Sequence, residues 1–181
     1  MTRLKWALAT LVAVSTIAVS TWVEPPTKLI WNASASTPIG LYTIEPARHL
    51  EVTDLVAIAA PEPLASFLAD GGYLPRDTPL LKRVLALPGQ TVCRSGLLIT
   101  VDDVEMGTAL ERDRLGRPLP GWQGCRVIAD RELFLMNWDV PDSLDGRYFG
   151  PLPASAVIGR AAPLYTEDTD ENRFVWRAPT R

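Results

Sequence analysis

Three short stretches of this 181-residue chain gather side chains that could serve as a nucleophile, a base and a positioning ion pair. The first is Asn32-Ala-Ser34-Ala-Ser36-Thr-Pro38-Ile-Gly40-Leu-Tyr42. Its two serines stand two residues apart, so in an extended chain both hydroxyls point the same way. Pro38 and Gly40 impose a fixed turn after them. Such a turn can expose a hydroxyl beside free backbone N–H groups, which is what a nucleophile with an oxyanion hole requires. The plainer alternative is a polar turn. The second stretch is Pro79-Leu-Leu-Lys82-Arg83-Val-Leu-Ala-Leu-Pro88-Gly89. Read as a strand, it puts Lys82 on one face with Leu80, Val84 and Ala86, and Arg83 on the other with Leu81 and Leu85. A lysine on an apolar face loses hydration, which lowers its pKa toward the range where the neutral amine serves as a base. An edge lysine whose ammonium snorkels to water is the alternative. Lysine is scarce: of 18 basic residues only Lys5, Lys28 and Lys82 are lysines, and arginine cannot take the role of a base. The third stretch runs Asn137-Trp-Asp139-Val-Pro-Asp142-Ser143-Leu-Asp145-Gly-Arg147-Tyr-Phe-Gly150-Pro151. Extended, it projects Ser143, Asp145 and Arg147 to one side, where Asp145 and Arg147 can form a bidentate salt bridge. The alternative there is a polar loop with a surface ion pair of little worth.

These stretches must be positioned by short strands. Apolar or alternating runs at 41–44, 54–59, 80–87, 97–101, 126–128, 133–136 and 157–164 are bounded by Pro, Gly or Asp and predict a β-rich domain. Residues 63–70, opened by Pro63 and closed by Gly71-Gly72, predict one short helix. From Glu105 to Gln123 the chain is polar and rich in Gly and Pro, and reads as a surface excursion. Thr166 to Asn172 reads as an exposed acidic segment. Composition bounds the chemistry further. The chain is 47% hydrophobic and 22% charged, so a cored domain is expected. One histidine, His49, and two cysteines leave almost no ligands for a Cys/His zinc site. A net charge of −3 without a long Lys/Arg block argues against a nucleic-acid partner.

The run Trp6 to Val23 carries no charged residue and follows Arg3 and Lys5. It matches the length of a membrane-spanning helix, roughly 17–25 residues, with Trp6 and Trp22 at interfacial positions. Residues 1–23 are thus expected to be an N-terminal anchor, or else a signal peptide cleaved after a pair such as Ala18-Val19-Ser20. Either way residues 24–181 lie across the membrane, because the positive flank stays in the cytoplasm. In an oxidising compartment Cys93 and Cys125 become a candidate disulfide. A catalytic cysteine is the alternative.

Taken in order, the three stretches resemble the type I signal (leader) peptidases, serine proteases with a Ser/Lys dyad, and resemble most the conjugative-transfer (TraF-type) branch. That branch carries Asn-x-Ser-x-Ser-x-Pro-x-Gly-Leu-Tyr after an anchor, Pro-Leu-Leu-Lys-Arg-Val-x-Ala-Leu-Pro-Gly-x-x-Val-Cys, Gly-Arg-x-Leu-Pro-x-Trp-x-Gly-Cys and Ser-x-Asp-Gly-Arg-Tyr-Phe-Gly-Pro. The third box stands here as Gly116-Arg117-Pro-Leu119-Pro120-Gly-Trp122-Gln-Gly124-Cys125. The resemblance spans roughly residues 6 to 160. It implies a mainly β, antiparallel signal-peptidase-like catalytic domain behind an N-terminal transmembrane helix. It also implies Ser36 as nucleophile, Lys82 as general base, Ser34 as a hydroxyl of the oxyanion hole, Ser143 as the residue that orients the lysine, and Asp145 with Arg147 as a structural pair beside the site. Two departures stand out from the general leader peptidases, which have Ser-Met-x-Pro where Ser36-Thr37-Pro38 stands, and Gly-Asp-Asn where Leu135-Met136-Asn137 stands.

The expected protein is a bacterial inner-membrane endopeptidase that passes the membrane once and works in the periplasm without a cofactor. Its substrate is an exported precursor with small side chains near the scissile bond. In the conjugative branch that precursor is a pilin, and an internal amine can replace water to give a cyclic product; components of a type IV secretion or conjugation apparatus are further expected partners. A housekeeping leader peptidase is the close alternative. An inactive, membrane-anchored assembly factor is the distant one, and it gives no reason for Ser34, Ser36, Lys82, Ser143 and Asp145 all to be present.

Overall fold

The computed structural model describes residues 3–20, 27–168 and 173–179. Strands dominate, as the apolar runs predict. They are β1 (Leu29–Asn32), β2 (Gly40–Glu45), β3 (Leu55–Ile58), β4 (Leu80–Ala86), β5 (Thr91–Ser95), β6 (Leu98–Val101), β7 (Val104–Thr108), β8 (Gly124–Val127), β9 (Glu132–Leu135), β10 (Leu152–Pro153), β11 (Val157–Asp168) and β12 (Arg173–Trp176). Helices α1 (Arg3–Ser20), α2 (Leu64–Asp70) and α3 (Gly146–Phe149) complete the set.

Every strand pairing is antiparallel, in two sheets. The larger runs β1, β2, β11, β3, β4, β9, β10, with β12 also on β11; the smaller runs β7, β6, β5, β8. The last long strand therefore lies between β2 and β3. One apolar cluster, including Leu85, Val92, Ile99, Ile128, Phe134 and Met136, joins β4 and β9 to the smaller sheet. A second, with Tyr42, Leu55, Leu81 and Ala161, lies under β2, β3, β4 and β11.

Four readings from the sequence are corrected. Thr166 to Asp168 do not belong to an exposed tail: they end β11, and Thr166 is fully buried, because strand pairing with Gly40 draws the segment into the sheet. The polar excursion begins in strand β7, whose pairing to β6 satisfies its backbone despite few apolar side chains. Ser34 and Ser36 lie in a turn between β1 and β2, where a local Asn32 network replaces extended pairing. The stretch from Asp145 to Arg147 is not extended either, since Asp145 caps α3 by accepting from the Arg147 backbone N–H.

At the N-terminus α1 covers 18 residues and exposes Leu4, Trp6, Leu8, Leu11 and Val12. Among the described residues no helix is long and apolar enough to cross a membrane. Part of the expected anchor, residues 21–23, lies outside the described residues.

Candidate active site

Asn32, the last residue of β1, organises the serine turn. Its Oδ1 accepts from the Ser34 backbone N–H at 3.1 Å and from Ser34 Oγ at 2.9 Å. Its Nδ2 lies within donor distance of the carbonyls of Ser34, Thr37 and Pro38, and of Thr37 Oγ1, at 2.8–3.1 Å. The Tyr42 hydroxyl donates to the Pro38 carbonyl at 2.7 Å and closes the turn from β2; burial pushes its pKa up to about 12. Gly40 has φ +144°, and a Cβ there would lie 2.3 Å from the Tyr165 carbonyl oxygen. No other residue lets the turn lie this close to β11.

The result is that Ser34 Oγ and Ser36 Oγ stand 3.1 Å apart. An amide oxygen only accepts, so Ser34 gives its proton to Asn32 Oδ1, and the Ser36 hydroxyl is the donor toward Ser34.

Lys82 is held by β4 between β3 and β9. It is 3% exposed and its Nζ donates to Ser143 Oγ at 2.8 Å. Desolvation lowers its pKa from 10.5 to about 8, against the opposing charge of Asp145, while Arg147 pushes the same way as burial. The amine is therefore neutral in a substantial fraction near neutral to mildly alkaline pH. Lys82, Ser143, Ser34 and Ser36 line one groove of about 440 Å³. Among the described residues no hydrogen bond joins Lys82 to Ser36; each is held by its own neighbouring serine.

Asp145 and Arg147 form the bidentate pair expected of them, Nε to Oδ1 at 2.9 Å and Nη2 to Oδ2 at 2.8 Å, both side chains at most 1% exposed. Arg147 also donates to the carbonyls of Val140, Pro141 and Ser143 at 2.7–3.1 Å. It thereby fixes the loop that carries Ser143. Gly146 packs so close to β9 that a Cβ would lie 2.7 Å from the Leu135 carbonyl oxygen.

Two positioning residues carry no role in the sequence reading. Asn32 is one. Asn137 is the other: its Nδ2 donates to the carbonyls of Ser36 at 2.7 Å and Leu81 at 3.2 Å, its Oδ1 accepts from the Arg83 backbone N–H at 3.0 Å, and its own N–H donates to Asp145 Oδ2 at 3.1 Å. Both are buried and each opens one of the reactive stretches. An amide, donor and acceptor on one group, placed at or just past the end of a strand was the available signal.

The opposite wall of the groove is the loop after β7. Asp113 there accepts from the Tyr73 hydroxyl and from Arg117 Nε, both at 2.6 Å, and these bonds hold its carboxyl well below the usual range. Arg117 Nη1 donates to the Gly71 carbonyl at 2.7 Å, and Arg114 pairs with Asp142 beside Ser143. Cys93 and Cys125 face each other on β5 and β8 and are joined by a disulfide of 2.06 Å. Neither thiol is free to serve as a nucleophile. His49 is exposed on the loop after β2.

The chain matches the family described as signal peptidase, peptidase S26, over residues 1–165. It is 34% identical over 146 residues to the conjugal transfer protein TraF of Agrobacterium fabrum, covering 76% of this chain and 82% of that protein. It is 31% identical over 153 residues to a plasmid transfer protein TraF of Escherichia coli, with 82% of each covered. Among solved structures a signal peptidase I from Enterococcus faecalis V583 superposes with a TM-score of 0.38 at 18% identity, over 62% of this chain and 97% of that one. On the match that runs from residue 1 to residue 165, this chain belongs to the S26 family of signal peptidases.

Proposed function

We propose that the protein is a Ser/Lys endopeptidase of a conjugation apparatus that matures an exported precursor, a pilin in the reading that fits its relatives best. One observation carries this: a buried lysine, held neutral in part by desolvation and aimed by Ser143, lines the same groove as a half-buried serine in a rigid turn. Neutral Lys82 takes the Ser36 proton, Ser36 Oγ attacks the scissile carbonyl, and an acyl-enzyme forms. The Ser36 backbone N–H and the Ser34 hydroxyl stabilise the oxyanion. Deprotonation of Ser36 removes the hydrogen bond it gives Ser34, and the Ser34 proton then turns from Asn32 toward the new anion. Lys82 protonates the leaving amine, and water or an amine releases the acyl group.

The exposed apolar side chains of α1, behind Arg3 and Lys5, support tethering to the inner membrane with the catalytic domain in the periplasm. The relatives' conjugal and plasmid transfer names support the placement in conjugation.

The test is mass spectrometry of the candidate pilin precursor in cells carrying wild-type protein, Ser36→Ala or Lys82→Ala. Accumulation of uncleaved precursor with either variant, both folded, is the expected result. Normal maturation in the Ser36→Ala strain would refute the assignment.

A further inference from the structure

Ser36 stands where two grooves meet. Lys82 lines only the one already described; the second holds about 330 Å³ and reaches Ser36 from between β11 and the loop after β9. The two differ in charge. The Lys82 groove has Lys82, Arg114 and Arg117 against Asp113 and Asp142, and both of those carboxylates are taken by arginine. The second groove has Arg83 against Asp139 and Glu167. Arg83 donates to the Thr53 carbonyl at 3.0 Å and stacks over Trp138, and its charge partly offsets that of Asp139, which leaves Glu167, among the described residues, as the carboxylate without a cation of the groove beside it.

An independent observation points to a ligand in the same groove. Thr166 lines it, is fully buried, and its Oγ1 has no hydrogen-bond partner among the described residues. A buried hydroxyl without a partner is destabilising, and a polar chain laid in the groove would relieve it. Gly40 keeps Thr166 there, since a Cβ at position 40 would lie 2.6 Å from Thr166 Cα.

We propose that this second groove binds the segment on the amine side of the cleaved bond, with the N-terminal ammonium beside Glu167 and Asp139 and the Thr166 hydroxyl bonded to its backbone. Cutting an amide at Ser36 leaves an ester and then a carboxylate on one side and an ammonium on the other, and the opposite charges of the two grooves match those two ends. The groove also holds the acceptor when an amine replaces water. The amine, having released one proton to solvent, attacks the ester carbon; the C–N bond forms, the bond to Ser36 Oγ breaks, and the second amine proton returns to Ser36 through Lys82. This last role rests on the proposed Ser/Lys mechanism, whereas the binding of an amine-terminated chain does not.

Calorimetry on full-length Ser36→Ala protein, which cannot turn over, tests the binding directly. Ala-Ala-Gly-amide with a free N-terminus should bind at least threefold tighter than its N-acetylated form. Adding Glu167→Gln, a change at a half-exposed position, should abolish that preference, and Asp139→Asn should reduce it. Thr166→Val should raise the melting temperature of the free protein while weakening both peptides alike. Equal affinity for the two peptides, a preference untouched by Glu167→Gln, or a lower melting temperature for Thr166→Val would overturn the proposal. If the preference obeys these variants while the protein with Ser36 intact cleaves no precursor, the proposed function is refuted and the groove assignment stands.

Discussion

The side-chain amide of Asn137 donates to the carbonyl oxygen of Ser36 at 2.7 Å, across 101 residues of sequence. The same side chain accepts from the backbone N–H of Arg83, next to Lys82. One amide thus sets the spacing between the turn that carries the serine and the strand that carries the lysine. Asn137→Asp keeps an acceptor for Arg83 but turns a carboxylate oxygen toward the carbonyls of Ser36 and Leu81. Turnover should fall by at least tenfold, and stability by about 2–3 kcal/mol, since buried acceptors lose their donor. Denaturant melts and kcat on one peptide substrate check this, and retention of both would remove Asn137 from the positioning role.

Activity should rise with pH through an apparent pKa near 8, the value to which burial lowers Lys82. Asp145 raises the Lys82 pKa and Arg147 lowers it. Neutralising Asp145 as Asp145→Asn therefore moves the acid limb to lower pH, even where the maximal rate falls. A pH–kcat/KM profile of each protein reads the shift.

Lys82 also links pH to stability. Its folded pKa lies below the unfolded one, so between about 8 and 10.5 the unfolded chain holds more protons and stability rises with pH. Below about 8 the penalty for burying the ammonium is fully present. Lys82→Met should therefore be more stable than wild type at pH 7, by on the order of 2 kcal/mol, with the gap closing as pH climbs toward 10. Urea melts at pH 7 and pH 9.5 measure it.

Breaking the buried Asp145–Arg147 pair should be far more damaging than breaking a surface pair. Asp145→Ala leaves a guanidinium unpaired in the interior, at about 3–5 kcal/mol. Arg147→Met should be no milder, because the carbonyls of Val140, Pro141 and Ser143 lose their donor. By contrast Arg76→Ala, which breaks a pair whose side chains are more than half exposed, should change stability by less than about 1 kcal/mol.

Replacing both cysteines by serine should lower stability by about 3–4 kcal/mol, the loop-closure contribution of a bridge between residues 32 apart. The disulfide joins β5 and β8 of the smaller sheet, while Lys82 belongs to the larger one and Ser36 to the turn between its strands β1 and β2. At a temperature well below both melting points kcat should stay within about twofold of wild type, an expectation that a side-by-side assay checks.

Much of the larger sheet was legible because its strands are apolar runs cut by Pro and Gly, and β2, β3, β4, β9 and most of β11 lie where those runs predict. The strands that escaped, β1, β5, β7, β10 and β12, are short and carry polar or exposed residues, so backbone pairing and not hydrophobic pattern defines them. Lys82 was legible through its apolar face, and Asp145 with Arg147 as a complementary pair, although a helix cap and not the extended spacing brings them together. That the pair would be buried was not, because burial here comes from five carbonyls converging from the 108–143 region on one guanidinium. Asn32 and Asn137 were seen only as the openings of motifs, since their partners lie across turns and sheets that one sequence cannot align.

The position of β11 bears on when the candidate site is assembled. It is the strand between β2, which follows the serine turn, and β3, which supports the lysine strand. Because it spans Val157–Asp168, the half of the sheet that flanks the Ser36 turn and the half that carries Lys82 have no common strand until residues 157–168 are available. A chain that lacks these residues holds Ser36 and Lys82 without the strand that joins their two halves of the sheet. The order of the strands along the chain thus acts as a timer, and the sheet that carries Lys82 and frames the serine turn closes only when β11 inserts.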